Sequence, residues 1–258
     1  MTAPGGKLFG LASDLTIGVL FCTRLPIPHS GPVAGTDVAR ASWAMPVAGA
    51  LVGALGALTY WIAHRAGLPA ALASALALAA TMAVTGCLHE DGLADTADGF
   101  GGGKDRERKL EIMRDSRIGT YGACALALAI ILRWSALASI ADASAAAMAL
   151  IAAHAAARAP LPAFMRLVPS ARSDGLGAGT GRPPRASVAA AAGLGLIALL
   201  GLGPVAAIVS LVLLAAAGIV MAWLSVRQIG GQSGDVLGAL EQINEILILL
   251  TVVAVAKG

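Results

Sequence analysis

From residue 204 to residue 226 the chain runs through 23 positions without an Asp, Glu, Lys, Arg or His. At a rise of about 1.5 Å per residue, such a run crosses the hydrocarbon core of a bilayer as a helix. Comparable stretches predict spans near 8–23, 41–63, 68–88, 118–140, 143–157, 186–202, 204–226 and 244–256. Backbone polar groups in lipid must be paired within closed hydrogen-bonded structure, which leaves helices and barrels. The unbroken apolar runs lack the alternation of a barrel strand. The chain therefore reads as an all-α, polytopic integral membrane helical bundle of about seven to eight membrane segments, a single domain over 1–258. Charged residues make up only 13% of it and the mean hydropathy is +0.80. A water-facing surface needs roughly 25% charged residues, and a disordered chain more polar ones still.

Asp14 weakens the first segment, and no small-residue cleavage site follows it, so it is expected to stay in the mature protein. The fifth and eighth segments are short. The last extends backwards through Glu241 and Glu245 if those acids face protein. Glycines and alanines such as those of 49–56 allow close helix approach. Cys22, Cys87 and Cys124 are isolated, with no zinc spacing, and are expected as buried reduced thiols.

Basic residues gather in four loops: Arg24 and Arg40 in 24–40, Lys104 to Arg117 in 89–117, Arg158 to Arg185 in 158–185, and Arg227 at the start of the loop before the last span. Eight spans put all of them on one side, which the positive-inside rule makes cytoplasmic, with both termini outward. A net charge of +3 spread this way suits membrane topology rather than nucleic acid.

Two polar segments carry chemistry: a cytoplasmic acidic and Gly-rich loop over 89–117, and a second cytoplasmic-side motif over 227–245. In the first, Asp91, Asp95 and Asp98 recur at i, i+4 and i+7, one face of a helix. Three stacked like charges call for a cation, and oxygen-only donors favour Mg²⁺, Mn²⁺ or Ca²⁺ over zinc. Gly99 to Lys104 reads either as a phosphate-wrapping loop or as a flexible connector, and Arg117 is placed to meet phosphate at a helix entrance. In the second motif Ser233 or Asp235 caps a helix, and Glu241 and Glu245 stand at i, i+4 among apolar residues. Arg133, His154 and Asp14 read as structural partners of other buried groups.

The run His89-Glu90-Asp91-Gly92-Leu93-Ala94-Asp95-Thr96-Ala97-Asp98-Gly99, its continuation through Gly122, and Gly231-Gln232-Ser233-Gly234-Asp235 with the residues after it closely resemble cobalamin synthase, the adenosylcobinamide-GDP ribazoletransferase family. The resemblance is specific over 87–122 and clear again over 230–245. It implies an inner-membrane enzyme of bacteria that joins adenosylcobinamide-GDP to α-ribazole or its 5′-phosphate, releases GMP and needs Mg²⁺. It maps the acidic motif onto Asp91, Asp95 and Asp98, preceded by His89, and the late motif onto Gly234 and Asp235. Asp91, Asp95 and Asp98 are then the expected metal ligands, with His89, Asp98 and Asp235 as catalytic candidates. Lys104, Arg117, Glu241 and Glu245 are expected to bind substrate. It assigns no role to Glu90. Expected partners are the substrates and membrane lipid, with further copies of the chain and other corrinoid-assembly enzymes left open. A CDP-alcohol phosphotransferase is the nearest rival, because Asp95-x-x-Asp98-Gly99 echoes the start of that signature; an ion-coupled transporter is more distant.

Overall fold

The computed structural model describes residues 4–29, 31, 33–140, 142–172 and 181–256. Helix α1 (Pro4–Cys22) is followed by α2 (Gly35–Ala41), which runs through a 3-10 turn into α3 (Met45–Arg65). Then come α4 (Ala70–Thr85), α5 (Leu88–Gly102), α6 (Arg106–Ile112), α7 (Thr120–Ala138), α8 (Ala143–Arg158) and α9 (Leu161–Leu167). Helices α10 (Arg185–Leu200), α11 (Pro204–Ile229) and α12 (Gly234–Ala256) complete the bundle. Among the described residues the only extended pairing is an isolated bridge between Ser170 and Gln232.

Five helical stretches are long and apolar enough to cross a bilayer: Gly35–Arg65, Thr120–Ala138, Ala143–Leu167, Pro204–Ile229 and Gly234–Ala256. A sixth arises if α4 and α5, bent by 87° at their junction, form one broken span. The count is lower than expected for two reasons. Gly10–Cys22 and Arg185–Leu200 are apolar but shorter than the rest. The predicted span 68–88 is also turned aside, because Gly86 (φ 64°) and Cys87 (φ 57°) are both left-handed. A non-glycine residue there costs roughly 1–2 kcal/mol, so the elbow is held by its surroundings. The expected 89–117 loop is accordingly helical through Gly102. The last span begins ten residues earlier than expected, at Gly234 rather than 244, since Glu241 and Glu245 do face protein. Cys22 is buried as expected, whereas Cys87 and Cys124 are exposed, the latter on the outer face of α7.

Glycine sets the closest helix contacts. At Gly49 and Gly53 of α3 an added Cβ would strike the carbonyl groups of His154 and Leu150 on α8. Gly92 of α5 meets Gly238 of α12, with Cα atoms so near that a Cβ on either would lie 3.2–3.3 Å from the other. Large apolar side chains such as Ile208, Ile219 and Trp223 point outward, as lipid-facing helices require. Asp14 on α1 accepts from Arg40 Nε (2.9 Å) and Trp43 Nε1 (3.1 Å), the structural pairing expected of it.

The polar connections gather at one end. Arg106 Nη2 donates to the Ala171 carbonyl (2.9 Å), Arg172 Nη2 to that of Leu110 (3.2 Å), and Lys109 to Gln228. Gln232 and Ala171 tie the connections after α9 and α11 through backbone bonds of 2.7–2.8 Å. The segments after α5, α9 and α11 thus share one face of the bundle.

Gly49→Ala is expected to destabilise the protein by about 1–3 kcal/mol, because backbone rather than a flexible side chain blocks the new methyl. Gly218→Ala, which meets open space, should leave the thermal unfolding midpoint in detergent unchanged or raised.

Candidate active site

Helix α5 starts from the left-handed elbow and carries His89, Glu90 and Asp91 in its first turn. The Gly92–Gly238 contact brings it against α12 backbone to backbone, close to the Asp235 carbonyl. Asp91 and Asp95 line a cavity of about 440 Å³. Cys87, Glu90 and Ala94 line it with them, together with Met82 of α4, Leu126 and Ile130 of α7, and the 113–118 segment that includes Arg117. Asp95 lies in the combined field of Asp91, Asp235 and Asp98. Among the described residues neither the Asp91 nor the Asp95 carboxylate has a hydrogen bond or ion pair.

Asp235 stands at the start of α12, where Ser233 Oγ donates to it at 3.1 Å and Arg172 Nη2 lies 3.8 Å away. Ser233 Oγ also accepts the Val236 N–H (3.3 Å), so of the two capping candidates the serine is the cap. Asp98 is buried and outside the cavity wall. Its oxygens accept the N–H groups of Gly119 (2.7 Å) and Gly122 (2.8 Å), which fastens the start of α7 to α5. Neither glycine has room for a Cβ beside that carboxylate. Asp98 thus caps a helix, in addition to any part in metal binding.

Arg117 is exposed at the rim and donates to Asp115 at 2.6–3.0 Å, and these bonds hold the Asp115 carboxyl down at about 2. Lys104 is exposed and lies outside the cavity wall. The glycines before it do not form a phosphate-wrapping loop, because Gly99, Gly101 and Gly102 are helical. They serve packing instead: a Cβ at Gly99 would strike Met113, and one at Gly101 the Tyr121 ring.

A buried charge lattice adjoins the cavity and shares Glu90 with its lining. Arg133 of α7 donates from Nη1 and Nη2 to Glu90 Oε1 (both 3.1 Å) and from Nη1 to Glu245 Oε1 (3.3 Å). His154 Nδ1 sits 3.2 Å from Glu245 Oε2. Arg158 Nη1 lies 2.6 Å from Glu241 Oε1 and donates to the His154 carbonyl (2.7 Å), while its Nη2 is 3.3 Å from His89 Nδ1. All seven side chains are buried. Arg133 and His154 are the structural partners expected of them. His89, Glu241 and Glu245 belong to this lattice and not to the cavity wall. The sequence places Arg158 among the loop cations; the structure buries it at the C-terminal end of α8. Its spacing of i, i+4 from His154, on one face of a helix, was the available signal.

Among the described residues one group gathers three ligand atoms for a cation, and a second place offers two carboxylates without a partner. His154, Glu241 and Glu245 offer ligand atoms within 4.8 Å of one another, but Arg158 and Arg133 already neutralise those carboxylates. A divalent ion there would compete with two fixed guanidiniums. Asp91 and Asp95 offer unpaired carboxylate oxygens on an open cavity, with Asp235 nearby and no thiolate or imidazole among them. That set fits Mg²⁺, which commonly takes one or two carboxylates and completes its shell with water and substrate phosphates.

Arg133→Met leaves Glu90 and Glu245 buried without their cation and is expected to cost about 3–5 kcal/mol. Adding Glu90→Gln should recover part of that loss. Thermal unfolding of the purified single and double variants measures both, and a double variant no more stable than the single one would contradict the pairing.

The model of the cobalamin-5-phosphate synthase family matches residues 14–253. A Bradyrhizobium diazoefficiens protein named adenosylcobinamide-GDP ribazoletransferase is 60% identical over 247 residues, 95% of each chain. Relatives of the same name from Mesorhizobium japonicum and Azorhizobium caulinodans are 53% and 42% identical, over 93% and 96% of this chain and 92% and 97% of theirs. No solved structure matches the chain. The acid-lined cavity behind the elbow is thus built from the motifs of a family covered almost end to end, and the chain belongs to the cobalamin-5-phosphate synthases.

Proposed function

We propose that this chain catalyses the reaction its relatives are named for, the ribazole transfer that completes the nucleotide loop of cobalamin. Adenosylcobinamide-GDP is the donor, α-ribazole or its 5′-phosphate the acceptor, and GMP the leaving group. The observation that carries this reading is the pair Asp91 and Asp95, two unpaired carboxylates facing a cavity inside the family's own motif.

A sugar hydroxyl oxygen of the acceptor forms a bond to the phosphorus that bears the corrinoid. The bond from that phosphorus to the GMP phosphate breaks, and the hydroxyl gives up its proton. Asp91 and Asp95 would hold Mg²⁺, with Asp235 adding negative potential beside them. Such an ion would supply charge neutralisation for the diphosphate and the departing phosphate. Arg117 at the rim faces the side from which phosphate enters, and Lys104, further out, meets anionic substrate before it reaches the cavity. Asp98 fixes the start of α7, the opposite wall. His89, Glu241 and Glu245 act through the lattice by holding α5 in place. The transfer is direct, from the donor phosphorus to the acceptor oxygen. The CDP-alcohol reading has only Asp95-x-x-Asp98-Gly99 behind it, and both oxygens of Asp98 are engaged by amides of α7.

The shared face of the polar connections supports a site on the cytoplasmic side of the bacterial inner membrane. A reporter fused after Gly103 should read as cytoplasmic; a periplasmic signal would invert the topology.

Asp95→Asn is expected to lower kcat by about 10²–10³-fold with the helical content unchanged, measured as GMP release from adenosylcobinamide-GDP. EDTA should stop the reaction and Mg²⁺ restore it. Activity indifferent to both changes would overturn the reading, as would turnover of CDP-diacylglycerol alone.

A further inference from the structure

Arg172 is a cation placed beside the acids of the site. It lies in the connection after α9, which is clasped to the turn before α12. There Gln232 N donates to the Pro169 carbonyl (2.7 Å) and Ala171 N to that of Gln232 (2.8 Å). Gly231 has no room for a Cβ against Pro169, so the two chains pass at backbone distance. The clasp sets the Arg172 guanidinium next to Asp235, whose own backbone lies against Gly92, between Asp91 and Asp95 in the chain. Its side chain is 18% exposed and its positive field reaches both Asp235 and Asp95.

For a charged group among acids, Arg172 is weakly engaged. Nη2 donates to the Leu110 carbonyl (3.2 Å), a neutral acceptor that leaves the charge uncompensated. The Asp235 carboxylate is 3.8 Å away, beyond hydrogen-bond reach, and accepts from Ser233 instead. Nε is buried and, among the described residues, has no acceptor. Other arginines near the site are matched: Arg117 by both oxygens of Asp115, and Arg133 and Arg158 by the lattice glutamates.

Resting on the transferase reading above, we propose that Arg172 binds the diphosphate of the donor, its guanidinium exchanging the Leu110 carbonyl for phosphate oxygens. Asp91, Asp95 and Asp235 repel an anion, and a fixed guanidinium beside them supplies the attraction. Its planar fork also orients the phosphate through two parallel bonds. Arg172 stands outside the lining of the 440 Å³ cavity, on the Asp235 side of the acids. A donor that carries both a corrin ring and a guanosine is too large for that cavity and extends past it. Its diphosphate then lies between Arg172 and the pair Asp91 and Asp95.

The test is steady-state kinetics of the full chain in detergent, with adenosylcobinamide-GDP as donor and either α-ribazole or its 5′-phosphate as acceptor. Arg172→Ala is expected to lower kcat/KM for the donor about 10- to 100-fold, the range of a lost hydrogen bond to a charged group. The KM for uncharged α-ribazole should stay within about twofold. Arg172→Lys keeps the charge and the fold but loses the fork, so it should recover only part of the donor kcat/KM. Guanidinium ion added to Arg172→Ala should restore activity in part, which a lost structural brace would not allow. Equilibrium dialysis of labelled donor without acceptor should show its Kd raised by a similar factor. A donor kcat/KM and Kd unchanged in both variants overturn the assignment. A loss seen only with the 5′-phosphate acceptor does so too, since it places the cation at the other phosphate. Donor and acceptor parameters that worsen together with the unfolding midpoint, without rescue, make Arg172 a brace and also overturn it. No transfer by the unmodified protein overturns the assignment and the transferase reading together.

Discussion

Glu90, Glu241 and Glu245 place three carboxylates in the interior of a bundle whose outer surface is hydrocarbon-like, and Arg133 and Arg158 meet them there. Each ion taken from water costs several kcal/mol, so such a lattice survives only when every charge has a close partner. Here the partners come from four helices: α5 supplies His89 and Glu90, α7 Arg133, α8 His154 and Arg158, and α12 Glu241 and Glu245. None of these helices can rotate or slide without exposing a charge to apolar surroundings. The lattice therefore fixes the register of α5, and with it the direction in which Asp91 and Asp95 point.

Glycine makes that lattice geometrically attainable. Close approach of α3 to α8 at Gly49 and Gly53 sets the position of His154 and Arg158. The Gly92–Gly238 contact sets α5 against α12, so that Asp235 comes within electrostatic reach of Asp91 and Asp95. In water-soluble cores large side chains drive association; in lipid they gain nothing by leaving one apolar medium for another, and close backbone packing takes over. The acids on α5 then divide by their neighbours. Asp98 finds two helix-start amides, Glu90 an arginine, and Asp91 and Asp95 only a cavity.

Much of this was legible in the sequence. Apolar runs gave the class of fold, and the i, i+4, i+7 spacing of Asp91, Asp95 and Asp98 placed all three on one helical stripe. What they did not reveal was that Asp98 is met by Gly119 and Gly122, a contact between segments more than twenty residues apart. The elbow was invisible because its second left-handed residue is Cys87, a residue type with no preference for that conformation. Gly99 to Gly102 misled because glycine is as useful for close helix packing as for loops, and only the neighbours Met113 and Tyr121 decide between them. Arg158 reads as a loop charge because it ends the apolar run of α8, yet the buried stretch continues through α9 to Leu167.

The central claim is that the buried lattice aims two unpaired carboxylates at a hard cation. Electron paramagnetic resonance of Mn²⁺ added to the purified protein tests it most directly, because bound and free Mn²⁺ give separable signals without any turnover. The account predicts a bound signal in the unmodified chain that is lost in Asp91→Ala/Asp95→Ala and weakened when Glu90 is changed to Gln. A bound signal of unchanged affinity in both variants would contradict it.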